Sequence, residues 1–306
     1  MLNRYEFDQI ITSDGVVVTL TDYVRYFSWG FSGRGMPTSS MRTERGPFQH
    51  GDTILGYVLR PRTISFVLRR NECSREEYWN ARAELMDILR PNRHGAQFDI
   101  MTLRKILPNG SMRDIRVIVN NTPDFEESRK GTWDEFSYQE ALRFIAHDPI
   151  FYDPVLNLFS YKPAADGDSL AFPITFPIQF SVDDSIEAFD LSYNGTWETF
   201  PNIIINGPIN EPSIRNITTG DVISLDYNVP EDVDVSISLE YGNKTIVDSS
   251  GNNLIGLLTS DSDLASFSLA AIPRATDGIN SIGVGGYGIT SATEIIFRYF
   301  TRYIGV

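Results

Sequence analysis

Hydrophobic and polar positions change rhythm along this chain, and the changes mark its elements. Ile64, Phe66 and Leu68 alternate with Thr63, Ser65 and Arg69, and Phe136, Tyr138, Leu142, Phe144 and Ala146 alternate with Ser137, Gln139, Arg143 and His147. A period of two predicts strands with one buried face. Residues 16–20, 23–29, 53–59, 97–103 and 114–119 carry the β-branched and aromatic content of further strands. Over 75–89 the period turns helical: Tyr78, Ala81, Leu85, Ile88 and Leu89 share one face. Ser74 and Glu77 form a capping box before it, and Pro91 ends it. The spacing predicts one helix packed on the sheet of a first domain.

A second rhythm begins at 172–180, an apolar every-other-residue stretch interrupted by Pro173 and Pro177. Each proline fixes φ and removes a ladder donor, so the stretch reads as an extended edge strand opening a second domain. Short strand signals then recur at 186–191, 203–206, 213–217, 221–226, 233–239, 244–248, 264–269 and 293–304, with turn pairs such as Asn194-Gly195 and Gly242-Asn243 between them. That spacing predicts an all-β sandwich or barrel. The last strand is partly apolar on both faces and is expected deep in a sheet. The expected layout is a domain over 1–154, a linker over 155–171 and a second domain over 172–306, mainly β with the helix in the first.

Between the first strands lies a polar, glycine-rich segment, 30–52. Structureless loops longer than about 12–15 residues are uncommon in compact domains unless they are functional or disordered. The segment reads as a loop ordered by a neighbouring subunit, with Arg34, Met36, Arg42, Arg45 and Phe48 as contact residues. Gly33-Arg34-Gly35 is not read as a phosphate cradle, because no helix follows to offer its N-terminus.

The net charge of −14 is unevenly spread. Residues 155–306 hold six basic and nineteen acidic residues, which leaves twenty and twenty-one in 1–154. A surface this acidic argues against a nucleic-acid grip, which needs clustered Lys and Arg, and favours solubility. No apolar run approaches the roughly 20 residues that span a bilayer, and the first residues lack the apolar core of a signal peptide. Synthesis and folding in a cytoplasm are expected. The single Cys73 rules out an internal disulfide. His50, His94 and His147 fall in three different elements without partners at ligand spacing. Asp183-Asp184 and Glu231-Asp232 are adjacent pairs, which on a strand face opposite ways and form no acid–base couple. The cluster 248–253 lacks a full calcium ladder. No catalytic, cofactor or metal site is expected, which leaves a binding module or a structural assembly protein.

Several stretches in order resemble one family. They are 50–56 followed by Arg60-Pro61-Arg62-Thr63-Ile64, the helix 78–85 ending at Leu89-Arg90-Pro91, the pair 148–152 and 176–180, and 199–209 with 217–220 and Gly242-Asn243-Lys244. Together they resemble siphophage distal tail (Dit-like) proteins. The resemblance implies an N-terminal domain related to tail-tube subunits, with one helix packed on a β-sandwich or split barrel, then a galectin-like β-sandwich. It implies a structural virion protein at the tail tip. As a homohexameric ring, it joins the major tail tube protein to the tail hub or tail-associated protein around a channel that DNA passes without specific binding. In related subunits a long loop reaches a neighbour, and 30–52 takes that place here. The alternative reading is a carbohydrate-binding tail protein, with Tyr193, Trp197 or Tyr241 as an aromatic platform on the second domain.

Overall fold

The structure, a computed structural model, describes residues 9–20, 26–93, 99–121, 123–125, 137–164 and 187–306. The proline-marked stretch 172–180 and His94 lie outside them. The chain is mainly β, with one α-helix among the described residues, and it divides into two compact units, Met1–Pro154 with Tyr303–Val306, and Val155–Arg302. No helix among the described residues is long and apolar enough to cross a membrane.

The first unit holds β1 (Gln9–Ile11), β2 (Val17–Thr19), β3 (Phe27–Ser32), β4 (Ser39–Glu44), β5 (Thr53–Leu59), β6 (Arg62–Asn71), α1 (Arg75–Leu89), β7 (Met101–Ile106), β8 (Met112–Val119), β9 (Ser137–Ala146) and the start of β10 (Phe151–Tyr161). Antiparallel pairs run from β2 to β1, β7, β8, β9, β6 and β3. The alternation of β6 and β9 turns Ile64, Phe66, Leu68, Tyr138, Leu142 and Phe144 to one face, where they are buried. Helix α1 covers this face with Tyr78, Ala81, Leu85, Ile88 and Leu89, the five residues its periodicity selects. The hydroxyl of Ser74 accepts the N–H of Glu77 at 3.3 Å, and the Glu77 carboxylate accepts the N–H of Cys73 at 3.2 Å. The capping box therefore closes one residue before the cap.

Arg62, at the start of β6, is only 3 % exposed. Its guanidinium is held by backbone carbonyls: Nε donates to Pro149 and Nη2 to Ile304, each at 2.8 Å, while Nη1 donates to Gly33 at 2.8 Å and to Gly35. The ring of Phe151 lies 4.7 Å from its carbon centre. Burial pulls its pKa down to about 10, so it stays charged at neutral pH. The C-terminal residues meet the same place, with the N–H of Val306 on the carbonyl of Arg34 at 3.1 Å. Gly33 has φ +84°, and a Cβ there would stand 2.2 Å from the carbonyl oxygen of Thr63, so no other residue fits.

The second unit takes up the rest of β10 and adds β11 (Glu187–Ser192), β12 (Asn202–Asn206), β13 (Ile209–Asn216), β14 (Val222–Ser224), β15 (Asn228–Val229), β16 (Asp234–Ser238), β17 (Thr245–Asp248), β18 (Ile279–Tyr287) and β19 (Glu294–Tyr303). Two sheets enclose one core. One runs β17-β16-β12-β19-β10 and the other β11-β18-β13-β14, with β15 also on β13. Ile203, Ile205, Ile237, Ile295 and Phe297 face Leu191, Ile214, Ile282 and Val284 across it. Phe159 and Tyr161 of β10 stack on Phe189 at 5.3 and 4.1 Å, which meets Phe297 edge-on at 6.0 Å.

Four sequence expectations differ from this. Residues 155–161, read as the start of a linker, continue β10 as a regular strand. Residues 303–306, read as part of the second domain, belong to the first unit. Residues 264–269 form no strand beyond a bridge from Leu269 to Thr199, although Phe267 and Leu269 are fully buried. The sequence signals also passed over β18, whose pattern Gly283, Gly285 and Gly286 obscure.

Replacing Arg62 by Met keeps the stem but leaves four carbonyls without their donor. Unfolding in urea is expected to show a loss of about 3 kcal/mol, since unmet buried polar groups cost about 1–3 kcal/mol each before water repairs them. An Arg62→Met protein as stable as the parent would show that the guanidinium holds nothing.

Candidate assembly arm

Among the described residues, strands β4 and β5 pair only with each other, as a separate two-stranded sheet. Their register runs from Ser39↔Leu59 to Glu44↔Thr53, with a bulge between Arg42 and Thr43. At the root, Arg60 donates its N–H to the carbonyl of Thr38 at 2.8 Å and Nη2 to the hydroxyl of Ser40 at 3.1 Å. At the tip, Gln49 organises the turn. Its side-chain oxygen accepts the N–H of Gly46 at 3.0 Å, its amide donates to the Thr53 hydroxyl at 2.9 Å, and its carbonyl accepts from Arg45 Nε at 3.2 Å. This frame holds Phe48 at φ +63° with its ring fully in solvent.

The hairpin buries almost nothing of its own. Met41, Ile54, Leu55, Tyr57 and Val58 are all exposed, Ile54 by 70 %, and Met36 just before β4 by 76 %. A two-stranded hairpin is marginal in water without a further layer. A run of large apolar side chains in solvent marks a surface meant to be covered.

The segment read from sequence as a structureless loop is thus corrected: 30–32 complete β3 and 39–44 are β4. The alternation that betrays a strand is absent there, and among the described residues neither face of the arm is covered. Of the expected contact residues, Met36, Arg42, Arg45 and Phe48 lie exposed on or beside the arm. Arg34 belongs to its root instead, half-buried, with its guanidinium 5.5 Å from the Phe31 ring. Sequence reasoning missed Met41, Ile54, Leu55, Tyr57 and Val58. Their signal was the doubling of apolar residues at Ile54-Leu55 and Tyr57-Val58, which no one-faced strand explains. From Arg34 to Arg60 this region carries Arg34, Arg42, Arg45 and Arg60 against Glu44 and Asp52, so it is net basic in an acidic chain.

The three aromatic residues proposed as a sugar platform are not one surface. Tyr193 is 1 % exposed. Its hydroxyl donates to the carbonyl of Trp197 at 2.6 Å and accepts the N–H of Arg302 at 2.9 Å, and its ring meets Tyr299 at 5.8 Å. It fills core space and cannot receive a ligand. Trp197 is half-buried and bridged to Arg302. Tyr241 alone stands out, 66 % exposed, against Phe200 at 4.5 Å and Lys244 at 5.0 Å. Lys244 is occupied by the carbonyls of Leu264 and Ala265 at 2.7 and 2.8 Å, and burial lowers its pKa. Among the described residues no group of three or more His, Cys, Asp or Glu is placed to hold a metal ion.

The whole chain was compared with known proteins. No protein-family model and no curated protein matches it. Among solved structures, the Dit protein of phage SPP1, described as a paradigm of the hub adsorption apparatus in phages infecting Gram-positive bacteria, superposes with a TM-score of 0.61 at 13% identity, covering 95% of this chain and 97% of that one. The fold is that of a Dit protein. Chains of the phage P2 baseplate in its activated conformation also align at 13% identity. The calcium form gives a TM-score of 0.49 over 97% of this chain and 99% of that one, and the strontium form 0.45 over 95% and 96%. The Dit fold spans both units, so it accounts for nearly every described element.

Because Phe48 and Ile54 stand in solvent, Phe48→Ser and Ile54→Ser are expected to leave stability within about 0.5 kcal/mol of the parent. Leu85→Ala, under the helix, is expected to lose about 3 kcal/mol. Thermal unfolding of the three variants checks this. A marked loss in Phe48→Ser would mean that the ring is buried in the chain's own fold.

Proposed function

We propose that this protein is a structural component of a phage tail tip, a distal tail protein that self-assembles through the β4–β5 arm. The observation that carries the reading is the pairing of a Dit fold over almost the whole chain with a hairpin that exposes apolar side chains on both faces. The arm's basic character suits docking on another copy of an otherwise acidic chain. In its finer form the reading is a homohexameric ring. The first unit acts as a tail-tube-like ring former and the second as a galectin-like sandwich. The ring joins the major tail tube protein to the hub or tail-associated protein around a channel for DNA. This role is built from contacts and needs no catalytic group. The sugar-binding alternative retains only Tyr241 of its three residues.

Native mass measurement with negative-stain imaging tests it. The full chain is expected to form a six-membered ring with a central hole, and a chain with residues 39–59 replaced by a short glycine-serine turn is expected to remain monomeric. A parent chain that stays monomeric at high concentration overturns self-assembly. An arm-shortened chain that assembles like the parent overturns the arm's part in it.

A further inference from the structure

Strand β19 begins in the second unit and ends in the first. Up to Arg302 it belongs to the second unit, where β12 pairs along it from Asn206↔Glu294 to Asn202↔Arg298 and where Ile295 and Phe297 are fully buried. From Tyr303 the chain belongs to the first unit. Tyr303 packs against the first core, and the Arg113 guanidinium lies 3.4 Å from its ring centre and 3.8 Å from the Asp153 carboxylate. The carbonyl of Ile304 accepts from Arg62 Nη2 at 2.8 Å, and the N–H of Val306 donates to the carbonyl of Arg34 at 3.1 Å.

Between these two bonds Gly305 lies close against the turn after β3. A Cβ on it would stand 3.2 Å from the carbonyl oxygen of Arg34 and 3.3 Å from that of Gly35, so a larger side chain has to push both carbonyls aside. That turn is the root of the arm. The carbonyls of Gly33 and Gly35 share the Arg62 guanidinium with Ile304. A few residues on, the N–H of Arg60 meets the carbonyl of Thr38 where the hairpin begins. Four residues at the end of a second-unit strand thus make backbone contacts to the base of a first-unit hairpin.

We propose that residues 303–306 act as a strap that sets the root of the arm only when the second unit is folded. Two backbone hydrogen bonds and one ring under a cation offset the entropy of ordering four residues by a narrow margin. So short a segment does not dock by its own contacts; it docks because β19 presents it. With the second unit folded, Arg302 is fixed and Tyr303 follows it by one peptide bond. With that unit unfolded, docking has to close a loop over Val155–Arg302, and for roughly 150 residues closure lowers the docking equilibrium about a thousandfold. An undocked strap takes an acceptor from Arg62 and a donor from the root, and the arm loses its fixed direction. A chain with a misfolded second unit is thereby kept out of assembly. The arm's purpose rests on the assembly reading above; the strap itself does not.

The test is hydrogen exchange read by mass spectrometry on the dilute full chain across a urea series. Ile237→Ala, in the second core, is expected to move the unfolding of the second unit to lower urea. The protection of the Arg60 N–H and of the β4–β5 ladder is expected to move with it, while α1 keeps the parent's midpoint. Gly305→Val is expected to speed exchange at the arm root about tenfold without urea, and to leave the midpoints of α1 and of the second unit in place. A root that keeps the parent's protection in Gly305→Val overturns the proposal, as does a root that follows α1 rather than the second unit in Ile237→Ala. An equal shift of α1 and the root also overturns it, since the chain would then open as one cooperative body with no part for the strap. Exchange is read on the single chain, so a parent that forms no rings overturns the assembly reading and leaves the strap standing.

Discussion

A buried cation held by carbonyl dipoles fixes the geometry on which the rest of the first unit depends. Arg62 brings no carboxylate inside with it; the charge is spread over four backbone acceptors from segments far apart in sequence. The planar fork suits this, because its donors leave in fixed directions and each can meet a different chain segment. The segments it gathers are the turn after β3, Pro149 two residues before β10, and the C-terminal tail. The turn after β3 is also the root of the arm, and there Gly33 lies so close to Thr63 that only a missing side chain permits the approach.

That root explains how the hairpin can be both well directed and bare. Its base is fixed by hydrogen bonds to a buried charge, and its tip is fixed by Gln49. The ladder between them needs no side-chain packing to keep its register. What the ladder cannot do is hide Met41, Ile54, Leu55, Tyr57 and Val58, since strand residues alternate between faces and neither face has a layer over it. In β6 the same alternation buries Ile64, Phe66 and Leu68, because α1 supplies the second layer. The difference between a core strand and an arm strand, among the described residues, is thus the presence of a covering layer.

The same physics sets what could be read from the sequence. Helix α1, β6, β9 and β19 were legible because burial of one face imposes a period on them. The strand β4 was not, because Ser-Ser-Met-Arg-Thr-Glu has no buried face to write a period. The strand β18 was hidden by glycines that keep the backbone close to β13, where a Cβ on Gly286 would meet the side chain of Ile209 at 2.8 Å. The Asp153-Pro154 break suggested a linker, yet β10 runs through it. Tyr193 is read as a possible platform because it is one of the aromatic residues of the second domain. Its ring is instead in the core, and its hydroxyl meets the backbone at both of its partners. Part of the arm was legible as a basic, glycine-rich segment. Its apolar half was not, because 53–59 reads as an ordinary strand until its lack of cover is seen.

Charge is where sequence and structure diverge most usefully. Along the sequence the first 154 residues are nearly neutral, with twenty basic and twenty-one acidic residues, and neutrality reads as uninformative. In the fold those charges are sorted. Glu140 is turned inward and Asp114 is sealed by Arg104. Arg62 is turned inward too, while Arg69, Arg116 and Arg143 take the opposite face of the sheet, on three different strands. No count along the sequence contains that sorting, because it depends on the register of β6 on β9 and of β9 on β8. A one-residue slip in either pairing would send one of the arginines to the core face. The apolar alternation that buries Phe66 and Phe144 forbids such a slip. The core therefore specifies which face of the sheet each of these charged side chains takes.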